Sequence, residues 1–192
     1  MTIVVEAPGE ATEPRVARLV PRLLAYGIDI CLLFLFVVST QALLLLTGIH
    51  PYGGALSGGP QPPSIQLHWW VMASTTLPFA AYFTLAATGS RGATFGQRMR
   101  GLRVAGKGSQ RLGPRRALVR ALVLLLPFEV NHAIMFHLGP WTGAPEALFF
   151  SGIGLVWLLI LLYLLVPLLR ADRAAVHDLV AGSTVFDLRS RR

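Results

Sequence analysis

The sequence contains few charged residues. Asp, Glu, Lys and Arg make up 14% of its 192 residues, whereas 54% are hydrophobic. A soluble domain carries about 25% charged residues, so the composition excludes an ordinary soluble protein. It indicates a membrane protein, and the length allows one compact bundle with short tails.

Acidic residues are scarcer than basic ones. Nine Asp and Glu stand against 17 Lys and Arg, which gives a formal net charge of +8. A basic protein can bind nucleic acid, but here the basic residues flank apolar runs, where they meet anionic lipid headgroups. We therefore expect membrane lipids as partners, and no nucleic acid.

Cysteine is nearly absent, and familiar catalytic motifs are missing. Cys31 is the single cysteine and lies inside an apolar run, so it forms no intrachain disulfide and is expected to pack as a small hydrophobe. The sequence has no Gly-Xaa-Ser-Xaa-Gly motif, phosphate-binding loop or paired-cysteine motif. These absences argue against an enzyme, and we expect no cofactor.

Four long apolar runs are present, and each is long enough for a helix to cross a hydrocarbon core of about 30 Å. They predict an all-α membrane protein built as a bundle of four transmembrane helices. The predicted spans are residues 23–46, 69–88, 117–137 and 147–169 within a domain of residues 15–187, with a disordered tail at 1–14 and a basic tail at 188–192.

The basic residues alternate between the connecting segments. Three arginines precede or open the first run, nine Lys and Arg lie in residues 91–120, and five lie in residues 170–192. The two other connections, residues 50–69 and 138–146, contain none. The positive-inside rule then predicts a multi-pass protein of the inner (plasma) membrane with both termini in the cytoplasm.

Two features of the second half are less regular. In the basic connection, residues 94–102 are expected to form a short amphipathic helix with Phe95 and Met99 on one side, and residues 101–112 a small hairpin. The third run contains Pro127 and several polar residues. A shallow or re-entrant course is therefore an alternative to a full crossing.

Three segments resemble one protein family. They are RLLAYGID at 22–29, TFGQRMRGLRV at 94–104 and HDLVAGST at 177–184. In this order, at the edges of apolar runs, they resemble the RDD family of prokaryotic membrane proteins, which is named for an Arg and two Asp. The matching positions are Arg22, Asp29 and Asp178, and the resemblance extends over about residues 18–186. Some members are described as taking part in ion or proton exchange, so the resemblance implies a role in transport.

Asp29 is the first polar residue that requires an explanation. It lies seven residues after Arg22, about two helical turns, so the two share a face. A carboxylate in the hydrocarbon core costs about 2.5–3.5 kcal/mol on insertion scales. We therefore expect Asp29 to face the bundle interior beside a cation, with Arg120 as the first choice and Arg98 as the second. It could bind a proton or small cation, or form a structural ion pair.

Glu129 is the second such residue. It lies nine residues beyond Arg120, near the middle of the membrane if the third run crosses, and is expected there to be protonated or paired. With His132 it could relay protons toward the outer face. If the run bends early, Glu129 instead lies solvated at the outer interface. The outer histidines have no ligand-like spacing, so no metal site is predicted; they are His50, His68, His132 and His137.

The pair His177-Asp178 follows the last run. Asp178 is expected to cap the short segment after it or to accept hydrogen bonds from the arginines of the basic connection. The second contact, a carboxylate surrounded by arginines, would form a structural clasp. The arginines considered are Arg98, Arg100 and Arg103.

Two functions follow from these residues. The first is transport of protons, a monovalent cation or a small solute, with Asp29, Arg120 and Glu129 carrying charge along a path between protomers of a homo-oligomer, and Arg22 and Asp178 holding a cytoplasmic gate. The alternative is a non-catalytic membrane scaffold in which the Arg–Asp pairs are structural. The sequence does not identify a protein partner.

Overall fold

A computed structural model describes residues 15–56, 58–60, 62–106 and 110–189. The predicted tail at 1–14, the tip of the predicted hairpin at 107–109 and most of the basic tail, residues 190–192, lie outside the described residues. The described chain is mostly helical, as predicted.

Eight α-helices and three short strands make up the described chain, with a π-helical turn at Met72–Thr76 and a 3₁₀ turn at Pro140–Thr142. The strands are β1 (Arg15–Val16), β2 (Leu102–Gly106) and β3 (Ser183–Asp187). The helices are α1 (Leu19–Leu46), α2 (Gly53–Leu56), α3 (Ser64–Val71), α4 (Leu77–Thr88), α5 (Phe95–Met99), α6 (Pro114–Leu138), α7 (Glu146–Leu169) and α8 (Val176–Ala181).

Four helical segments are long and apolar enough to cross a membrane, which confirms the predicted number of spans. They are Leu19–Leu46, Ser64–Thr88, Pro114–Thr142 and Glu146–Leu169. The second is α3, the π-helical turn and α4 running on from one another, and it begins five residues earlier than predicted. The helices expose many large apolar side chains, as lipid-facing helices do.

The helix of the third span is continuous, so the alternative of an early bend or a re-entrant course is wrong. Pro127 lies inside α6 and has no N–H for the carbonyl of Val123, four residues before it. The hydroxyl of Tyr163 on α7 donates to that carbonyl at 2.5 Å. A side chain of a neighbouring helix therefore replaces the missing backbone bond, as often happens where proline occurs in a transmembrane helix.

The all-α prediction missed a small antiparallel sheet at one end of the bundle, with strand order β1-β3-β2. Residues 102–106 do form a strand, but their partner is β3 near the C-terminus, with Val104 opposite Val185. The predicted local hairpin is therefore wrong in its pairing. We call this end of the bundle, which carries the three strands, α5 and α8, the sheet end.

Two groups of buried apolar residues hold the fold together. One joins the sheet to the ends of the helices and the other lies inside the bundle. Small residues are frequent in both, which lets backbones approach closely. The first comprises Ala17, Ala25, Ala87, Leu102, Val104, Leu112, Ala117 and Val185, and the second Leu33, Ala80, Phe83, Ala121 and Leu125.

Candidate functional site

A buried carboxylate binds two arginines where α1, α6 and α8 meet. Asp178 accepts a hydrogen bond from Nε of Arg120 at 2.9 Å and forms a second ion pair with Arg22 through its other oxygen. The Ser183 hydroxyl donates to the same Asp178 oxygen as Arg120, also at 2.9 Å. We call these four side chains the clasp. None is more than 5% exposed.

The clasp ties the segment after the last span to the start of the first. Arg22 also donates to the backbone carbonyl of Arg173 at 2.6 Å, just ahead of α8. Asp178 does lie in an arginine clasp, as predicted, but the predicted partners Arg98, Arg100 and Arg103 are wrong. The alternative that Asp178 caps a helix is also wrong, because it lies inside α8. Arg22 and Arg120 belong to α1 and α6, which pass beside α8. The helices that lie next to α8 therefore determine which arginines bind Asp178.

Tyr26 and His177 extend the clasp. The Tyr26 hydroxyl accepts from Nη2 of Arg120 at 3.1 Å and lies 2.8 Å from Nε2 of His177. A Tyr26 hydroxyl that accepts from Arg120 can donate its own proton to Nε2 of a neutral His177. Nδ1 of His177 is buried and has no partner among the described residues. His177 is thus held in the clasp through Nε2.

The surroundings set opposite charge states for His177 and Asp178. Burial lowers the pKa of His177 to about 3, and the guanidinium groups of Arg120 and Arg22 contribute to this lowering. Burial alone would raise the pKa of Asp178, but the charges of Arg120 and Arg22 outweigh it and hold that pKa well below its usual range. At neutral pH the clasp is an ionised carboxylate between two cations beside a neutral imidazole.

Asp29 lies in a separate buried site and is fully enclosed. Its carboxylate accepts from the hydroxyls of Tyr82 and Thr94 at 2.7 and 2.6 Å and from the backbone N–H of Gly96 at 2.8 Å. The expected cation is not there: Arg120 binds Asp178 instead, and no ion pair of Asp29 occurs among the described residues. Three hydrogen-bond donors take the place of a guanidinium.

The Asp29 site exists because α5 lies directly on α1. A Cβ on Gly96 would overlap the carbonyl oxygen of Ala25 and come within 3.1 Å of the Asp29 carboxyl carbon. Thr94 begins α5 with a capping box, in which its side chain accepts from the N–H of Gln97 and the Gln97 side chain accepts from the N–H of Thr94. Asp29 therefore docks α5 onto the first span.

Arg98, the second predicted partner of Asp29, lies on the same short helix. Its Nε donates to the carbonyl of Thr94 at 3.3 Å, and it has no ion pair within the described ranges. The prediction that Arg22 and Asp29 share a face is confirmed: both belong to the buried stripe of α1, which also includes Ala25 and Leu33.

Glu129 lies nearer the opposite end of the bundle, within a chain of polar side chains. Its Oε1 accepts from the Thr76 hydroxyl and lies 3.1 Å from Nδ1 of His132. Its Oε2 lies 3.9 Å from Nε2 of His68, whose Nδ1 lies 2.8 Å from Nε2 of His137. Glu129 and these three histidines form what we call the histidine cluster. The Glu129 side chain in this cluster is 21% exposed.

Two cavities have lining residues in common, and His132 is one of them. One of about 280 Å³ lies between α1, α4 and α6, with Tyr26 among its lining residues and Glu129 and His132 also lining it. The second, of about 270 Å³, is lined by His132 together with polar residues that include Gln41 and His50. His132 is shared by both cavities, and Tyr26 connects the first to the clasp.

The histidine cluster does not have the geometry of a metal centre. Within the part of the chain that the structure describes, no group of three or more His, Cys, Asp or Glu side chains could hold a metal ion. The cluster is instead a row of proton donors and acceptors.

The family can now be decided. The model of the RDD family matches residues 16–182, most of the chain. The chain belongs to the RDD family. No curated protein and no solved structure matches it. Membership of the RDD family was predicted from three motifs, and all three lie largely within the matched residues.

The structure divides the three RDD residues between two buried sites. Arg22 and Asp178 bind each other with Arg120, whereas Asp29 binds α5. Sequence reasoning missed several partners. Tyr26 could have been found, because it lies one turn after Arg22 on the same face, and the capping box of Thr94 is readable in the sequence. Ser183, Tyr82, Gly96, Thr76 and His68 carried no comparable signal.

Proposed function

We propose that this RDD protein conducts protons across the membrane through the cavity between α1, α4 and α6. The observation that carries the proposal is the histidine cluster, in which one carboxylate is linked to three imidazoles and His132 lines two cavities. Ionisable groups inside a membrane bundle are costly and commonly mark ion pathways or proton relays.

The chemistry of the cluster favours a proton over other cargo. Imidazole is the side chain that gains and loses a proton most readily near neutral pH, and Glu129 can accept one from His132 or His68. A metal cation is usually surrounded by several oxygen ligands, and the cluster offers one carboxylate and the Thr76 hydroxyl. The cavity wall between Tyr26 and Glu129 is mainly apolar, so transfer there requires water to enter.

The clasp has a different part in this proposal. It closes the sheet end of the cavity, because Tyr26 lines the cavity and is bound to Arg120 and His177. A proton would pass this end only when the Tyr26 contacts open. Asp29 is saturated by its three donors, so we assign it a positioning role and not a transfer step. The path lies within one protomer, and the sheet end faces the cytoplasm in this proposal.

Proton flux into liposomes tests the proposal. Purified protein is reconstituted with a pH-sensitive dye inside the vesicles, and a potassium gradient with valinomycin drives proton entry. Glu129→Gln is expected to reduce the flux to that of empty vesicles, because the amide cannot exchange a proton. Glu146→Gln, the same change at an exposed position at the start of α7, is the matched control and is expected to keep the flux.

Two results would overturn the proposal. The first is a wild-type flux no greater than that of protein-free vesicles. The second is a Glu129→Gln flux equal to that of the wild type at the same reconstituted amount, since the carboxylate would then play no part.

A second candidate is the non-catalytic membrane scaffold. It is favoured by the saturated contacts of Arg22, Asp29 and Asp178, which leave none of the three RDD side chains available for a ligand. In that case Asp29→Asn lowers stability and yield, no variant changes a flux, and purification in mild detergent returns a reproducible protein partner. The absence of such a partner counts against this candidate.

A further inference from the structure

A basic cavity lies at the sheet end, apart from the clasp and the histidine cluster. Its volume is about 400 Å³, and its lining includes the arginines Arg91, Arg98 and Arg103. Cavities of 300–1,000 Å³ are the usual size for small-molecule sites. A cavity lined by side chains of one charge attracts ligands of the opposite charge, so this cavity favours an anion.

None of the three arginines forms an ion pair within the described ranges. Nε of Arg103 is buried without any hydrogen-bond partner in the described structure. A buried donor is rarely left unsatisfied, and this one belongs to a side chain that lines the cavity.

The backbone around the cavity is fixed before any ligand binds. Gly92 has φ of +56°, and a Cβ there would lie 2.8 Å from the carbonyl oxygen of Val104. The N–H of Val104 donates to the Gly92 carbonyl at 2.7 Å, which ties the loop after α4 to β2. The capping box holds the start of α5 on the other side. Arg91, Arg98 and Arg103 therefore project from a rigid frame.

Exposed apolar residues on α5, the helix that carries Arg98, and on the cavity lining indicate what kind of anion fits. Phe95 and Met99 on α5 are 45% and 55% exposed, and Leu188 on the cavity lining is 39% exposed. The loop begins directly after α4 ends at Thr88, at the edge of a candidate span. An anion with an attached acyl chain would satisfy the arginines and cover these apolar side chains together.

We propose that the cavity of Arg91, Arg98 and Arg103 binds the phosphate-bearing headgroup of an anionic phospholipid. Guanidinium groups bind phosphate oxygens through paired hydrogen bonds. The acyl chains lie against Phe95 and Met99. This site is independent of proton conduction, because none of its arginines touches the clasp or the histidine cluster.

Lipid binding to the full-length protein in a neutral detergent tests the site. Delipidated protein is titrated with dioctanoyl phosphatidylglycerol and followed by native mass spectrometry, with dioctanoyl phosphatidylcholine as the uncharged comparison. Wild-type protein is expected to hold one anionic lipid per protomer in preference to the zwitterionic one. The combined change Arg91→Gln, Arg98→Gln and Arg103→Gln is expected to weaken that binding roughly 100-fold, at about fivefold per arginine.

The matched control removes the same charge elsewhere. Arg18, Arg111 and Arg115 are exposed and do not line the cavity, so changing all three to Gln is expected to leave the single tight lipid in place. If the triple cavity variant does not fold, Arg91→Gln alone suffices, because Arg91 is exposed and outside the helices and strands; it is expected to weaken binding about fivefold.

Three results would overturn the inference. Equal weakening in both triple variants would mean that general charge, not the cavity, attracts the lipid. Displacement of the lipid by an equal concentration of inorganic phosphate would mean that the cavity takes the free anion. The lack of any saturable preference for phosphatidylglycerol would mean that there is no such site.

Discussion

Replacing Asp178 with Asn should destabilise the protein more than replacing either of its arginines. Among the described residues, Asp178 is the one carboxylate that forms ion pairs with Arg22 and Arg120, and all three side chains are buried. Asp178→Asn leaves two uncompensated guanidinium groups, which should cost about 3–5 kcal/mol or more of unfolding free energy. Arg22→Gln leaves Asp178 paired with Arg120 and bound to Ser183, so it should cost less, about 1–3 kcal/mol.

The measurement is unfolding of purified protein in mixed micelles with increasing SDS, followed by tryptophan fluorescence. The matched control is Asp172→Asn, which breaks an Arg–Asp pair with Arg170 whose side chains are half exposed; it should leave the unfolding midpoint unchanged. The double variant Arg22→Gln with Asp178→Asn should be less destabilised than the sum of the single changes, by about 1–3 kcal/mol, because the two residues share one interaction.

The cost of Asp178→Asn should also depend on pH. The pKa of Asp178 in the folded protein is depressed, with burial opposed by the stronger effect of the two arginines. The stability that its charge contributes is therefore complete above a pH of about 4 and is lost as the pH falls toward the folded-state pKa. The reasoning would be refuted if Asp178→Asn were no more destabilising than Arg22→Gln or Arg120→Gln at pH 7.

Three further outcomes are expected. Gly96→Ala should lower the unfolding midpoint strongly, because the new Cβ would overlap the Ala25 backbone. Gly27→Ala, where nothing lies within 4 Å of the new Cβ, should be neutral or slightly stabilising. Equal effects of the two substitutions would contradict the close contact of α5 with α1. Burial lowers the pKa of His177 to about 3, so His177 takes up a proton in the folded protein only at low pH. Between pH 6.5 and pH 5 the stability of the wild type should therefore fall by about 2 kcal/mol more than that of His177→Gln. Parallel pH curves for the two unfolding free energies would count against a buried neutral imidazole. Tyr163→Phe removes the donor to the carbonyl that Pro127 leaves free, and should lower the free energy of unfolding by about 1–3 kcal/mol in the same SDS titration. An unchanged free energy of unfolding would mean that water binds that carbonyl instead.

Features that depend on local spacing could be predicted from the sequence. Four apolar runs gave four helices, because length and hydropathy alone decide whether a helix can cross a membrane. The seven-residue spacing of Arg22 and Asp29 placed both on the buried stripe of α1, because helical geometry fixes which residues share a face. The RDD motifs gave the family.

Features that depend on the meeting of distant elements could not be predicted. The strand at residues 102–106 was found, but its pairing with β3 was not, because strand patterning carries no information about a partner some 80 residues away. The third run proved to be a continuous helix only in the structure, where Tyr163 of another helix binds the carbonyl that Pro127 leaves free. A proline in a sequence shows that a carbonyl is freed and does not show what will bind it.

The sequence by itself determined that Asp29 and Asp178 must be shielded from lipid, since a bare carboxylate in or beside hydrocarbon is too costly to leave uncompensated. Only the tertiary structure decided what shields each of them. Arg22 and Asp178 are 156 positions apart, and Arg120 and Asp178 are 58 apart. The packing of α8 between α1 and α6 brings both cations to Asp178, while the close approach that Gly96 allows gives Asp29 its hydroxyl and backbone donors. Compensation of a buried charge requires only suitable partners nearby, and helix packing selects which partners those are.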